Sequence, residues 1–70
     1  MNYLSTNIKY LRRLKGLSQE QFADDLHVSR SRISSYEGGR SKPSIQFLIH
    51  LSNYSQICME TLVKKKLNSL

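Results

Sequence analysis

The stretch VSRSRISSYEGGR, Val28 to Arg40, decides how the chain is read. It holds four serines, three arginines and two glycines, and Ile33 is its only aliphatic side chain after Val28. Serine is a mediocre helix former because its hydroxyl competes for backbone hydrogen bonds, so composition alone makes the segment irregular. Position argues otherwise. Ser29 stands as an N-cap, with Arg32 rather than an acid at the capping-box position. Gly38-Gly39 is a stop, which predicts a helix from Arg30 to about Glu37. At roughly 100° per residue from Arg30, Ser34 falls near 40°, Ser31 near 100° and Ser35 near 140°. Ile33, Tyr36 and Glu37 gather between roughly 240° and 340°, with Arg32 between the two sets. One face is buried. The other shows Arg30, Ser31, Ser34 and Ser35, with no large apolar group and no acid.

On the N-terminal side, Ser18 caps QEQFADDL, and Gln21 completes a capping box. Phe22, Ala23 and Leu26 give this short helix an inward stripe, and His27-Val28 joins it to the serine-rich one. Two helices of about eight residues so joined, with a small Ala23 at their crossing, form a helix-turn-helix unit. Further back, Leu4, Ile8, Leu11 and Leu14 or Lys15 follow helical spacing, and Gly16 ends that run, predicting a first helix from about Leu4 to Lys15. Beyond Gly39, Pro43 suits a first helical turn and opens SIQFLIHLSNY as a fourth helix. Gln56 or Cys58 starts a fifth, METLVKKKL, reaching Leu67. No strand alternation, repeat or low-complexity tract interrupts this. The fold class is all-α, one five-helix domain over residues 1–70 with its core at about 8–63.

Seventy residues sit near the lower size at which one core suffices, a domain that buries about 60% of its unfolded surface. No apolar run approaches the roughly 18 residues of a membrane span, and no signal-peptide pattern opens the chain. Eleven Lys and Arg against five Asp and Glu give a net charge of +6 and a pI near 9.8. On so small a body this favours a polyanionic partner, without separating DNA from RNA or an acidic membrane. The lone Cys58 has no internal disulfide partner, which fits a reducing cytoplasm.

The serine-rich face now acquires a use. Short hydroxyls let a helix axis come close to base edges in the DNA major groove, and an arginine near the N-terminus can fork onto guanine O6 and N7. A helix N-terminus and its capping serine favour phosphate. Ser18, Gln19, Ser29 and Arg32 would meet the sugar-phosphate backbone on one side, Arg40 and Lys42 on the other. The alternative is a solvent face that is merely serine-rich.

The run IKYLRRLKGLSQEQFADDLHVSRSRISSYEGGRSKPS resembles the helix-turn-helix family of phage lambda-type repressors, Cro proteins and xenobiotic-response-element regulators. The matching features are an L-R pair late in helix one, G-L-S-Q opening helix two, then A-x-x-L-x-V-S, I-S-x-Y-E, G-x-R and P-S. The likeness continues through IQFLIHLSNY into METLV, from about Thr6 to Val63. It implies a lambda-repressor-like domain that binds double-stranded operator DNA, usually as a homodimer, in a bacterial or phage-encoded protein working on the nucleoid in the cytoplasm. Arg30, Ser31, Ser34 and Ser35 match base-facing positions, Gln19 a supporting glutamine that touches phosphate, and Arg12 with Glu37 a largely buried ion pair. Two departures stand out. His27 occupies a turn position where glycine with positive φ is usual, and Cys58 stands where serine or threonine usually caps the last helix.

Other chemistry finds little support. His27, His50 and Cys58 show no metal-ligand spacing, and neither Asp24-Asp25 nor the serines have a partnering base. No catalysis, cofactor, metal, membrane or small-molecule ligand is expected. Lys64, Lys65 and Lys66 read as a solvated helix end before a DNA-contacting tail. Helix four is apolar over most of its circumference, and with helix five it suggests a two-fold dimer through Phe47, Leu51, Met59 and Val63. The alternative is that both stripes close the monomer core. A restriction-modification controller, an antitoxin autoregulator and an interaction module that has lost DNA binding are the competing functions.

Overall fold

The computed structural model describes residues 2–67 and places five helices in them: α1 (Leu4–Leu14), α2 (Gln19–Leu26), α3 (Arg30–Glu37), α4 (Ile45–Ser55) and α5 (Met59–Lys64). The assigned domain's remaining residues, 1 and 68–70, lie outside the described residues. The described residues contain no strand.

Local chemistry sets most helix ends. Ser18, Ser29 and Ser44 are N-caps in extended conformation, each accepting the amide of the residue three further on. Ser18 and Gln21 close the full capping box. The first three helices then stop by one device, in which a residue past the end takes positive φ: Gly16 (69°), His27 (59°) and Gly39 (71°). The following amide reaches back into the last turn, Leu17 to Arg12 O at 3.1 Å, Val28 to Ala23 O at 3.0 Å and Arg40 to Ser35 O at 3.0 Å. These are Schellman endings, which satisfy carbonyls that helix termini leave orphaned. Histidine reaches this left-handed region more readily than most side chains, so the helix-turn-helix corner forms without glycine.

The core gathers between all five helices. Ile8, Phe22, Ala23, Leu26, Ile33, Leu51 and Leu62 are almost fully buried. Helix α3 packs against α2 and α1, and α4 against α2 and α5. The Tyr36 ring meets Phe47 of α4 at 4.8 Å between centroids, which backs α3 from behind.

Four sequence expectations change. Pro43 is not in the first turn of α4: Ser44 must stay extended to cap Phe47 (φ −69°, ψ 159°), so the helix begins at Ile45 and the proline lies outside it. Leu14 is 66% exposed, the α1 stripe ending at Leu11. Phe47 and Leu51 are 2% and 0% exposed, so they close the monomer core and cannot form a dimer surface. Helix α5 ends at Lys64, well before Leu67.

The cause of that early end is Asn7, fully buried on α1. Its Nδ2 donates to Leu62 O at 2.7 Å and Lys65 O at 2.6 Å, and its Oδ1 accepts from Leu67 N at 3.0 Å. Lys65 turns extended (φ −111°, ψ 140°) and Leu67 folds into the core.

Cys58 has N-cap geometry (φ −66°, ψ 152°) but no side-chain cap bond. Its Sγ lies 3.1 Å from Thr61 Oγ1 instead, which holds the thiol below its usual pKa. Since the backbone is already set for a cap, Cys58→Ser is expected to stabilise the domain by about 0.5–1 kcal/mol in chemical denaturation.

Tyr54 ties α4 to α2: its hydroxyl donates to Asp25 Oδ2 at 2.6 Å, its ring meets Phe22 edge-on, and Lys15 Nζ lies 4.7 Å from the ring centre. Burial, then the hydrogen bond and charge of Asp25, push the phenol from 10.0 up to about 12. The unfolded chain therefore releases this proton first. The contribution is intact below pH 10 and is lost as pH rises through 12. Asp25→Asn should bring the Tyr54 phenol down towards the ordinary range, as read by ultraviolet absorbance.

Candidate nucleic-acid interface

The surface of interest begins with a buried charge pair. Arg12 Nε donates to Glu37 Oε2 at 2.7 Å and Nη2 to Oε1 at 3.1 Å, with side chains only 14% and 4% exposed. Arg12 Nη1 also donates to Leu17 O at 2.9 Å, closing the corner between α1 and α2. Gln19 Nε2 donates to Glu37 Oε1 at 3.2 Å. One carboxylate at the end of α3 is thus held from α1 and α2 together. The hydrogen bond to Glu37 raises the Arg12 pKa against the opposing effect of burial, and the Glu37 charge adds to it.

With its back fixed by Ile33, Tyr36 and Glu37, α3 turns its other side outward. Arg30 and Ser31 are exposed and Ser34 is half-buried, and with Gln19 these three line an open cleft of about 450 Å³. Ser35, placed with them from the sequence, is half-buried and does not line it. Gln19 spends one amide hydrogen on Glu37 and keeps a second for an outside acceptor. Ser18 and Ser29 use a lone pair for capping, and each keeps its hydroxyl proton to donate.

Arg32, Arg40 and Lys42, the cations placed at phosphates from the sequence, do not line this cleft. Arg32 lines a second cavity of about 300 Å³ with His27, Val28, Ser44, Gln46, Phe47 and His50, where the two imidazole centres lie 6.3 Å apart. Arg40 lines another of about 380 Å³ with Lys9, Arg12, Arg13, Gln19, Ser34, Glu37 and Gly38. Its side chain folds back along α3, with Nη2 donating to Ser34 Oγ at 3.0 Å. Lys42 is exposed in the following turn. Sequence reasoning overlooked Lys9 and Arg13; their spacing of four along α1, beside Arg12, was the available signal. Val63 is half-buried and Met59 38% exposed, while Ile45 (67%) and Ile49 (44%) form the outward apolar side of α4. Among the described residues no group of three metal-ligating side chains occurs, and no helix is long and apolar enough to cross a membrane.

This arrangement of a capped, outward-facing α3 on α2 is that of a known class. A helix-turn-helix family model matches residues 8–56, and the chain belongs to that family of DNA-binding transcription regulators, in its lambda-repressor-like branch. The uncharacterized HTH-type transcriptional regulator YqaE of Bacillus subtilis is 34% identical over 64 residues, 91% of this chain and 55% of the relative. The HTH-type transcriptional activator BcrR of Enterococcus faecalis is 36% identical over 56 residues, 80% of this chain and 28% of the relative. The chain thus spans about half or less of these two proteins. Among solved structures, the N-terminal DNA binding domain of SinR from Bacillus subtilis superposes with a TM-score of 0.76 at 34% identity, covering 86% of this chain and 88% of that one. The P22 c2 repressor in complex with a synthetic operator shares the fold (TM-score 0.81, 24% identity, 90% and 96% covered).

Removing one partner of the buried pair strands the other. Glu37→Ala should cost about 3–5 kcal/mol in urea denaturation. Replacing both with apolar residues, Arg12→Met with Glu37→Leu, should recover most of that loss.

Proposed function

We propose that this domain binds double-stranded DNA of defined sequence as a homodimer, and that it represses transcription by occupying an operator. One observation carries the reading: Arg30, Ser31 and Ser34 face an open cleft beside Gln19 while Ile33 and Tyr36 are buried directly behind them. A rod so backed and so unhindered in front fits the major groove, which is about 12 Å wide. In this reading Arg30 forks onto a guanine, and Ser31, Ser34 and Ser35 approach neighbouring bases. Ser18, Gln19, Ser29, Arg32 and Lys42 hold phosphates on either side.

The dimer proposal rests on the exposed Ile45 and Ile49, one turn apart on α4, and on Met59. A two-fold pair would set its half-sites about 10 bp apart. Repression is the direction proposed because occupancy alone blocks a promoter and needs no surface beyond the reading face. BcrR is an activator, which gives activation as the second reading, distinguished by a reporter placed behind the selected operator.

Selection of bound sequences from a random DNA pool tests the reading, with a symmetric motif expected. Recovery of no motif, with binding no better than to random DNA, would falsify it. Arg30→Ala should weaken binding by about 1–3 kcal/mol and relax preference at one base pair. Lys42→Ala should weaken all sequences alike and flatten the salt slope by about one unit.

A further inference from the structure

Arg40 was expected at a phosphate, in partnership with Lys42. Its backbone and side chain are both held against α3. The Schellman ending of α3 pins its amide to Ser35 O at 3.0 Å, turning the residue back towards the helix. The side chain then crosses Gly38 and reaches Ser34, whose Oγ accepts from Nη2 at 3.0 Å. Gly38 makes that crossing possible: a Cβ there would stand 2.6 Å from Arg40 Nη1 and 3.3 Å from its Cζ. Gly38 itself has φ −82° and ψ −4°, an ordinary right-handed conformation open to any residue. Space for the guanidinium, not backbone freedom, is what the missing side chain provides.

A guanidinium carries five N–H donors, and the bond to Ser34 uses one. Arg40 lines the neighbouring cavity, which shares Ser34 and Gln19 with the cleft that Arg30 and Ser31 line. We propose that Arg40 is a specificity-determining residue that reads a guanine at the C-terminal edge of the α3 face, with Ser34 and Gly38 as its positioning residues. The assignment rests on the DNA-binding reading above. It also changes the role of Ser34, whose hydroxyl orients an arginine instead of serving a base alone. An arginine anchored through one nitrogen loses less freedom on docking than a solvated one, which favours a fixed bidentate contact over a loose phosphate contact.

The test is selection from a random DNA pool, with salt titrations, for wild type, Arg40→Ala, Arg40→Lys and Gly38→Ala. Arg40→Ala should erase preference at one base pair, a loss of about 5- to 150-fold in discrimination there. Arg40→Lys should erase the same preference yet keep the wild-type salt slope, since the charge stays and the fork goes. Gly38→Ala should blur that same position because the end of Arg40 has to move, with at most a small drop in thermal melting from the new Cβ 3.3 Å from Ser34 O. If wild type selects a motif and Arg40→Ala leaves every position unchanged while weakening all sequences equally, Arg40 is a phosphate contact and this inference is wrong. If wild type selects no motif, the operator-binding reading fails first and takes this one with it.

Discussion

A carboxylate withdrawn from water needs donors, and Glu37 draws them from two helices besides its own. Arg12 supplies two from α1 and Gln19 one from α2. Since an uncompensated buried charge is costly, the three helices cannot drift apart without exposing or stranding it. The orientation of α3 follows from this constraint. An isolated eight-residue helix rich in serine would not persist in water, so α3 exists because its surroundings hold it. Ser29 caps its start, Gly39 closes its end, and Ile33 contributes about 1.5–3 kcal/mol by complete burial. The poor propensity of the sequence is thereby tolerated, and the outer face is left to be chosen for what it touches.

Much of this was legible because helix punctuation is local. A serine and the amide three residues later lie within one turn, so Ser18 and Ser29 announce their helices unaided. Glycine after an apolar stripe announces a stop in the same way. The inward arc of α3 could be read from spacing alone, since three of its eight residues share one side. Long-range choices were not legible. Asn7 looks like an ordinary polar residue of α1 until its partners appear 55, 58 and 60 positions away. Helix α4 is apolar on so many sides that periodicity could not tell Phe47 and Leu51, which face the core, from Ile45 and Ile49, which do not. Arg40 was placed by its charge, whereas its direction depends on an atom that Gly38 lacks.

The outer surface shows a similar division of labour. Uncommitted hydrogens on Ser18, Ser29 and Gln19 belong to groups that already hold the fold together, so the proposed contacts would draw on side chains that local structure has fixed. Lys9 and Arg13 carry the positive field round onto α1, beyond the helix-turn-helix itself. A long-range field of this kind raises encounter rates with a polyanion more than it selects among sequences. In the proposed reading, selection is left to the few groups whose positions are fixed.

Asn7 also bears on how the chain finds this fold. Besides its three bonds, Tyr3 N donates to Val63 O at 2.8 Å, so the two ends of the described chain lie side by side. The contacts between α1 and α5 are therefore the most distant in sequence, and the loop they close spans nearly the whole domain. Because that loop must close before α1 and α5 can hold each other, the pairing raises the contact order of an otherwise local helical fold and slows its folding.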